Sequence, residues 1–398
     1  MTSNKDINLN SGKCPSCGST GLKSFYKVDS VPVHSCVLKD SQAEALGFPE
    51  GSIDLGFCPA CGFITNMAYD IKHRDYSTGY EDQQSFSSTF NAFARGLAEK
   101  WVKKYELRDK KIIEIGCGKG DFLRLICEIG DNHCIGIDPA FVEDRVESAE
   151  NIVFIKDYYS EKYSYLKGDM ICCRHTLEHI DRTAEFIRTI RKSIGDKTDT
   201  LVFFEIPDAM RVLKEQAFWD IYYEHCSYFT PESLGRLFRA EGFEILDLYT
   251  EFDDQYLIIE TKASPEPVDK PHPAEEPSSE TEKQVLKFEE DIKSRLDYWR
   301  GFFNTAFGQG KKIAIWGSGS KCVAFMTTLG LKDQVGAIVD INPHRHAKFI
   351  PSVGKEIVDP QMLKDYHPDI VVIMNPIYRN EIAGDLKAMG LDPELTAV

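Results

Sequence analysis

The sequence predicts an α/β protein in three parts: a doubly wound sheet, a small cysteine module before it and a Rossmann-like domain after it. Strand-like apolar runs alternate five times with helical patterns between residues 110 and 208. Two Cys-Pro-x-Cys-Gly sequences precede this stretch, and a second strand, glycine turn and helix follow it at 311–330. Alternating strands and helices indicate a sheet covered by helices. We place the module at 1–70, the core at 71–262, a linker at 263–283 and the C-terminal domain at 284–398.

Composition restricts the class of protein. The 398 residues suffice for two or three domains, and 42% hydrophobic with 28% charged residues is ordinary for a soluble protein. A net charge of −16 argues against nucleic acid or an anionic membrane as the main partner. No apolar run reaches the roughly 18 residues of a membrane span, and MTSNKDINLNSGKC lacks a signal-peptide core. We expect a cytoplasmic monomer or small homo-oligomer that acts on a small molecule.

The first part of the chain carries a metal-binding pattern. Its two knuckles supply four cysteines, namely Cys14, Cys17, Cys58 and Cys61. Two residues between cysteines let both thiolates face one ion, so the pair of knuckles predicts a tetrahedral zinc site. Four protein ligands leave no open position, which indicates a structural role in a module whose own core is small. A redox pair or unrelated buried thiols are the alternatives.

The core begins with a strand and a glycine-rich turn, KKIIEIGCGKGDF. Such a turn lets the backbone approach a nucleotide-like cofactor, and Asp138 at the end of the next strand is suited to ribose hydroxyls. The three turn glycines are Gly116, Gly118 and Gly120. Glu114 before the turn, together with Asp138, favours S-adenosylmethionine over a dinucleotide. This pattern predicts a class I methyltransferase core, although many turns carry glycines for steric reasons alone.

Later strands support that interpretation. IVFIKDYY (152–159) is typical of a third strand, and its Asp157 is suited to the exocyclic amine of an adenine. The stretch 243–260 predicts two strands that form a hairpin after the fifth unit. A dehydrogenase would be expected to continue with another parallel half, whereas a reversed edge pair fits a methyltransferase sheet.

Candidate catalytic residues follow the fourth and fifth strands, where an open α/β sheet binds its ligand. After the fourth strand come His175, a candidate cofactor contact, and His179. The insertion FWDIYYEHCSYFT after the fifth strand contains four candidates, Tyr222, Tyr223, Glu224 and His225. A histidine beside a carboxylate can act as a general base, although a structural histidine is the alternative. The loop DYSTGYEDQQSFSS, which includes Tyr76, is placed to cover the cofactor turn.

The C-terminal part repeats the strand, glycine turn and helix. The linker before it is rich in proline and acidic residues and predicts a flexible connector. In KKIAIWGSGSKCVAFMTTLG (311–330), three side chains are candidates for phosphate or substrate binding, namely Ser318, Ser320 and Lys321. A turn kept tight for packing is the alternative.

These motifs, in this order, resemble a known family over nearly the whole chain. The chain is similar to the three-domain S-adenosylmethionine-dependent C-methyltransferases that act on nucleotide-linked 4-keto-deoxysugars in deoxysugar and antibiotic biosynthesis. The resemblance implies cofactor contacts at Gly116, Gly118 and Asp138. It also implies a substrate nucleotide between the core and the C-terminal domain, near Ser320 and Lys321. The catalytic pocket that it implies contains Tyr76, His179, Tyr222, Glu224 and His225.

The expected chemistry is removal of a proton beside a ketone, followed by methyl transfer to the enolate carbon. The candidate base is His225, or a tyrosine such as Tyr222 or Tyr76 that it activates. Glu224 would orient the base, and His179 would be a second acid or base, or an enolate partner. Rival hypotheses are an O- or N-methyltransferase on another small acceptor, a zinc-bearing binding protein with an inactive core, and a nicotinamide oxidoreductase.

Overall fold

Three β-sheets organise the chain. The computed structural model describes residues 12–398 apart from 75, 77, 78, 146–148, 266, 267 and 276. The sheets contain four, seven and six strands. Residues 1–11 of the predicted module lie outside the described residues. In the described part of the chain, no helix combines the length and the apolar character needed to cross a membrane.

The first sheet belongs mainly to the N-terminal module. Its first three strands pair antiparallel in sequence order, with a short helix between the first two. These elements are β1 (Lys23–Pro32), α1 (Gln42–Leu46), β2 (Glu50–Phe57) and β3 (Ile64–Asn66). The fourth strand of this sheet comes from the middle of the chain.

The second sheet is the predicted core. Its elements, in chain order, are α2 (Ser88–Lys104), β4 (Lys111–Ile115), α3 (Asp121–Gly130), β5 (His133–Ile137), β6 (Ile152–Ile155), β7 (Met170–Arg174), α4 (Thr183–Ile194), β8 (Leu201–Pro207), α5 (Ala209–Glu215), β9 (Ser227–Tyr228), α6 (Pro231–Ala240), β10 (Phe243–Glu251) and β11 (Tyr256–Ala263). All but β9 among these strands form one sheet, in the order β10-β11-β8-β7-β4-β5-β6. Strand β4 runs parallel to both of its neighbours, whereas β11 runs antiparallel to β8 and to β10. The predicted doubly wound sheet with a reversed edge hairpin is therefore confirmed.

Helices bury both faces of this sheet because its central strands are mostly apolar. Adjacent residues of a strand point to opposite faces. The ring of Phe203 accordingly lies 5.1 Å from that of Trp101 on α2, whereas the ring of Phe204 lies 5.0 Å from that of Phe238 on α6. All four side chains are fully buried. The helices thus fix the sheet on both sides and leave the carboxyl ends of its strands to form a site.

The third sheet is a smaller Rossmann-like unit. The C-terminal elements are α7 (Ser278–Gly308), β12 (Ile313–Trp316), α8 (Ser320–Leu329), β13 (Ala337–Val339), β14 (Lys348–Phe349), β15 (Glu356–Val358), α9 (Leu363–Tyr366), β16 (Ile370–Ile373), α10 (Arg379–Ala388) and β17 (Glu394–Ala397). The strand order is β14-β15-β13-β12-β16-β17, and β12 runs parallel to β13 and to β16. As predicted, the glycine turn joins β12 to α8.

The segment between core and C-terminal domain is more structured than its composition suggests. Helix α7 begins at Ser278, inside the stretch 263–283 that we predicted as a flexible linker. Before it, the buried carboxylate of Glu275 accepts two hydrogen bonds from the guanidinium of Arg239 on α6, at 3.0 and 2.7 Å. A proline-rich, acidic composition does not reveal such a contact, because the contact depends on one distant arginine.

The catalytic insertion enters the sheet of the N-terminal module. Strand β9, which lies within the insertion, pairs antiparallel with β3. Both the hydroxyl of Thr65 and the amide of Asn66 donate hydrogen bonds to the carbonyl of Cys226, at 2.8 and 3.0 Å. These contacts join segments 161 residues apart. The module is therefore part of the framework that holds the insertion.

Candidate active site

A cavity of about 1330 Å³ opens at the carboxyl ends of the central strands and extends to the glycine turn of the C-terminal domain. The predicted site residues that line it are Tyr76, Glu114, Gly116, Gly118, Asp138, Asp157, His175, His179, Tyr222, His225, Ser320 and Lys321. Four other predicted residues lie outside its lining: Gly120, Tyr223, Glu224 and Ser318. The structure therefore brings both glycine turns and most of the catalytic candidates to one space.

The first glycine turn is held open by backbone geometry. Gly116 has φ +73°, and a Cβ there would collide with the hydroxyl of Thr176. Gly118 has φ +53°, and apart from its two chain neighbours no described residue has an atom within 4 Å of the place where its Cβ would stand, so this glycine leaves room for a ligand. The Gly118 amide donates a 2.8 Å hydrogen bond to Asp138 Oδ2, which ties the turn to the next strand. The turn thus fits the cradle that the sequence predicts.

Gly120 has a packing role instead. It is the N-cap of α3 with φ +84°, and a Cβ there would stand 2.6 Å from the ring of Phe154. Close packing of the helix on the sheet explains this glycine without a ligand. The sequence could not separate the two roles because all three glycines occur in one short run.

Glu114 is a buried carboxylate at the wall of the cavity. Only 2% of the residue is exposed, and its Oε2 has no hydrogen-bond partner among the described residues. Burial raises the pKa of Glu114 to about 8, although the neighbouring Arg174 acts in the opposite direction. An unpartnered carboxyl oxygen is suited to a ligand that carries ammonium or hydroxyl donors, as S-adenosylmethionine does. Glu114, Gly118 and Asp138 are therefore the residues that fit this cofactor.

Asp157 and His175 also line the cavity but already have charged partners. Asp157 accepts hydrogen bonds from the ammonium of Lys162 and from the phenol of Tyr163, and the bond from Lys162 leads the lowering of its pKa to about 2. His175 Nε2 lies 2.8 Å from Glu205 Oε1. Although burial opposes it, hydrogen bonding to Glu178 and Glu205 raises the pKa of His175 to about 9. Both groups contribute fixed charge to the wall.

Two histidines and two tyrosines form the catalytic cluster. The phenol oxygen of Tyr76 lies 2.8 Å from His179 Nδ1. The ring of His225 lies edge-on to that of His179, with centroids 4.6 Å apart, and 4.1 Å from the ring of Tyr222. A carboxylate oxygen of Glu178 lies within 4.8 Å of the ligand nitrogens of both histidines. Residues from the loop before α2, from the segment after β7 and from the insertion thus converge on one wall of the cavity.

Burial assigns different protonation states within this cluster. Burial, followed by the nearby His179, holds the pKa of His225 well below its usual value, so its imidazole is neutral and able to accept a proton. Burial raises the pKa of Tyr76 and of Tyr222 well above the usual value, so both phenols keep their protons and can donate hydrogen bonds. The cluster therefore combines a neutral imidazole with two protonated phenols.

The other two candidate residues of the insertion, Tyr223 and Glu224, face the N-terminal module. Glu224 is 1% exposed, and its Oε1 accepts hydrogen bonds from the amide of Ser35, at 2.8 Å, and from the Ser35 hydroxyl. The Tyr223 phenol accepts a 2.8 Å hydrogen bond from the Asp70 amide, and its ring packs against that of Tyr69. Tyr223, which we predicted to bind substrate, thus lies at the joint between core and module and does not line the cavity.

The C-terminal glycine turn uses most of its polar groups internally. The amide and hydroxyl of Ser318 donate to Asp340 Oδ2 at 2.8 and 2.7 Å. The Gly118 amide has the same 2.8 Å relation to Asp138, so the two turns are built alike. Ser318, which we predicted to bind substrate, thus lies behind the cavity wall, where its amide and hydroxyl bond to Asp340.

Lys321 is paired, whereas we predicted a lysine directed at phosphate. Its ammonium contacts Asp220 Oδ1, and Asp220 Oδ2 accepts a 3.1 Å hydrogen bond from Arg211. Burial lowers the pKa of Lys321. Lys321 and Arg211 both line the cavity, and Arg211 also pairs with Glu215 at 2.9 Å, so these two cations are balanced by two carboxylates.

The loop before α2 covers the first glycine turn. The ammonium of Lys119 in that turn donates a 2.6 Å hydrogen bond to the carbonyl of Tyr80. Glu81 accepts hydrogen bonds from Arg145 of the core, at 2.5 Å, and from Asn342 of the C-terminal domain, at 2.9 Å. The sequence indicated a covering loop, but it gave no sign of these anchors, which are distant in the chain.

The four knuckle cysteines converge as predicted. Cys14 Sγ and Cys61 Sγ are 3.7 Å apart, as are Cys17 Sγ and Cys58 Sγ, and all four sulfurs lie within 4.8 Å of one another. Four thiolates about 2.3 Å from a tetrahedral zinc ion stand roughly 3.8 Å apart. The cluster therefore has the dimensions of a Cys₄ zinc site.

Comparison with known proteins agrees with this geometry. A family model described as a methyltransferase domain matches residues 90–248, and one described as a C-methyltransferase C-terminal domain matches residues 260–391. C-methyltransferase NovU of Streptomyces niveus is 23% identical to this chain, over 94% of the chain and 92% of NovU.

Solved structures with similarity to the core include two methyltransferases. One is magnesium protoporphyrin IX methyltransferase (ChlM) from Synechocystis PCC 6803 with bound S-adenosylhomocysteine. The matched region covers 46% of this chain and 91% of the ChlM chain, with 14% identity and a TM-score of 0.36. The other is Burkholderia thailandensis 1,6-didemethyltoxoflavin-N1-methyltransferase. Its matched region covers 44% of this chain and 81% of that enzyme's chain, with 16% identity and a TM-score of 0.33. TM-scores this low add nothing to the assignment.

The core sheet and the cradle around Gly118 define a class I, S-adenosylmethionine-dependent methyltransferase. Within this class, the match to a C-methyltransferase C-terminal domain, in a chain that also carries the N-terminal cysteine cluster, indicates a methyltransferase that acts on carbon. The chain is therefore an S-adenosylmethionine-dependent methyltransferase in which a methyltransferase domain is followed by a C-methyltransferase C-terminal domain.

Glu114 predicts a pH dependence of stability in the ligand-free protein. Its pKa rises from an ordinary 4.5 to about 8 on folding, so its stabilising contribution is complete below pH 4.5 and is lost as the pH rises through 8. A shift of this size corresponds to a few kcal/mol. We expect the melting temperature of Glu114→Gln to fall less than that of the wild type between pH 5 and 8.5, measured by differential scanning fluorimetry.

The matched control is Glu99→Gln, whose side chain on α2 is 57% exposed. This variant should follow the wild-type pH response. Parallel pH profiles for the wild type and Glu114→Gln would show that Glu114 is ionised at ordinary pH and would remove this account of the carboxyl.

Proposed function

We propose that this C-methyltransferase methylates the carbon beside a ketone of a nucleotide-linked keto-deoxysugar, with His225 as the base. The observation that carries the proposal is the position of His225 on the wall of a cavity that reaches both glycine turns, with its ring 4.1 Å from that of Tyr222 and 4.6 Å from that of His179. An imidazole in such a position is within reach of a bound ketone and can accept a proton from the carbon beside it.

The proton step requires a base and a partner for the developing charge. His225 takes the proton from the carbon beside the ketone, and the electron pair of the C–H bond moves to the ketone oxygen. The phenols of Tyr76 and Tyr222 are donors suited to that oxygen, because burial keeps them protonated. His179, 2.8 Å from the Tyr76 oxygen, holds this phenol in place.

Bound S-adenosylmethionine supplies an electrophilic methyl group on a sulfonium, which the enolate carbon acquires as the carbon–sulfur bond breaks. The residues that would hold it are Glu114, Gly118 and Asp138. The loop that Lys119 and Glu81 hold over the turn excludes water and keeps the reacting groups in place. These residues contribute mainly positioning.

The C-terminal end of the cavity suits an anionic leader group on the substrate. Helix α8 has Gly319 as its N-cap, with no side-chain cap bond, and Ser320 and Lys321 form its first turn. Amides at a helix N-terminus favour phosphate, and the side chains of Lys321 and Arg211 add hydrogen-bond donors to the same end of the cavity. These features support a nucleotide diphosphate as the carrier of the sugar.

The Cys₄ cluster supports a structural zinc ion. Cys58 and Cys61 flank a turn that leads directly into β3, and β3 pairs with β9 in the catalytic insertion. Zinc would therefore fix the strand against which His225 is positioned, and would take no part in the chemistry itself.

Replacing His225 tests the base directly. We expect His225→Ala to lose about 10²- to 10⁴-fold in the rate of solvent deuterium exchange beside the ketone of thymidine-diphosphate 4-keto-6-deoxyglucose, because no base remains. The exchange is followed by NMR without a methyl donor. Binding of S-adenosylhomocysteine, measured by calorimetry, should stay within a few-fold of the wild type.

His133→Ala is the matched control, since the His133 side chain is 66% exposed. His133 is the first residue of β5, so it lies at the amino end of that strand, away from the carboxyl ends that form the cavity. This variant should exchange at the wild-type rate. Wild-type exchange by His225→Ala would contradict the role of His225. Methylation of an acceptor that lacks an enolisable ketone would instead favour an O- or N-methyltransferase.

Removing the metal tests the role of the module. We expect Cys58→Ser to lose most turnover, because the strand that holds the insertion loses its anchor, while S-adenosylhomocysteine still binds to the core. Zinc content, turnover and binding are measured on the same samples. Chelation of the wild type should have the same effect, and added zinc should reverse it. Full turnover in a zinc-free protein would contradict this role.

A further inference from the structure

A chain of hydrogen bonds joins all three parts of the protein at the catalytic insertion. The hydroxyl of Ser35, from the loop after β1, bonds to Glu224 Oε1 of the insertion. The same hydroxyl lies 2.8 Å from the hydroxyl of Ser320, the first residue of α8. Ser35 and Glu224 are both 1% exposed, and Ser320 lines the cavity. These segments are 189 and 285 residues apart in the sequence.

The direction of these bonds follows from the number of protons. A hydroxyl has one proton to donate, and a carboxylate only accepts. Because the Ser35 proton goes to Glu224, the contact between the serines requires Ser320 to donate to Ser35. The thiol of Cys36, whose sulfur lies 3.2 Å from the Ser320 oxygen, can in turn donate to Ser320. The relay therefore runs from Cys36 through Ser320 and Ser35 to Glu224.

Glu224 connects the relay to the catalytic histidines. Its backbone carbonyl lies 3.1 Å from His179 Nδ1, and the next residue is His225. Its second carboxylate oxygen, Oε2, is buried and lacks a hydrogen-bond partner within the described chain. The two bonds from Ser35 to Oε1 are therefore what fixes this side chain, and the loss of the hydroxyl would leave the Ser35 amide as its remaining hydrogen-bond donor among the described residues.

We propose that Ser35 is a positioning residue for Glu224, and that Ser320 makes this position depend on the C-terminal glycine turn. The relay rests on the proposed function, since it acts through the histidine that removes the proton. A nucleotide phosphate at the N-terminus of α8 would meet Ser320 and would thereby fix the orientation of the relay. The C-terminal domain would thus both bind the nucleotide phosphate and affect the position of His225 through Ser320, Ser35 and Glu224.

A double-mutant cycle on deuterium exchange tests the relay. Thymidine-diphosphate 4-keto-6-deoxyglucose is the probe, and the full-length zinc-loaded protein is used throughout. We expect Ser35→Ala and Ser320→Ala each to lower the maximal exchange rate by at least about tenfold, the effect of one hydrogen bond to a charged group. Ser320→Ala should also raise KM for the probe, whereas Ser35→Ala should change KM little.

The double variant distinguishes a relay from two separate defects. Both hydroxyls act through one carboxylate, so the double variant should be no slower than the slower single variant. Thr200→Val is the matched control, because it removes a buried hydroxyl that bonds to the Gly168 carbonyl, just before β8 and away from the cavity. It should exchange at the wild-type rate. Melting temperatures confirm that all variants are folded.

The outcomes separate the relay from the proposed function. If the wild type does not exchange the probe, the proposed function fails and the relay fails with it. If the wild type exchanges and Ser35→Ala matches it, the relay alone is overturned. Single effects that multiply in the double variant also overturn the relay, since they indicate independent roles for the two serines.

Discussion

The structure depends on the pairing of β9 with β3. This short pairing places part of the catalytic insertion in a sheet that a cluster of cysteines anchors. It turns Tyr223 and Glu224 towards the module and leaves Tyr222 and His225 at the cavity. A loop of this length without such support would sample many conformations, at an entropic cost for every catalytic geometry. The module thus substitutes for rigidity that the insertion does not have by itself.

The two glycine turns have the same construction and lie at the two ends of the cavity. In each turn, a backbone amide donates a 2.8 Å hydrogen bond to the aspartate that ends the neighbouring strand. The core turn leaves open space at Gly118 and an unpartnered carboxyl at Glu114. The C-terminal turn offers a helix N-terminus with paired cations nearby. One end suits a cofactor with donor groups, and the other suits an anion.

Local patterns predicted the fold well, because strands, glycine turns and knuckles are recorded in short stretches of sequence. The doubly wound core, the reversed hairpin, the convergence of the cysteines and the cavity positions of His179 and His225 follow from such patterns. The orientation of Tyr223, the pairing of Lys321 with Asp220 and the contact of Ser35 with Glu224 do not. Each of these depends on a partner far along the chain, and an extended loop has no periodicity that shows which side chains face inward.

The most direct measurement of the central claim is the position of the transferred methyl group. The wild-type enzyme is incubated with ¹³C-methyl S-adenosylmethionine and thymidine-diphosphate 4-keto-6-deoxyglucose, and the product is examined by NMR. A role for His225 in enolate formation predicts a labelled carbon bonded to a carbon next to the ketone, with the proton at that position lost. A label bonded to oxygen would contradict the account.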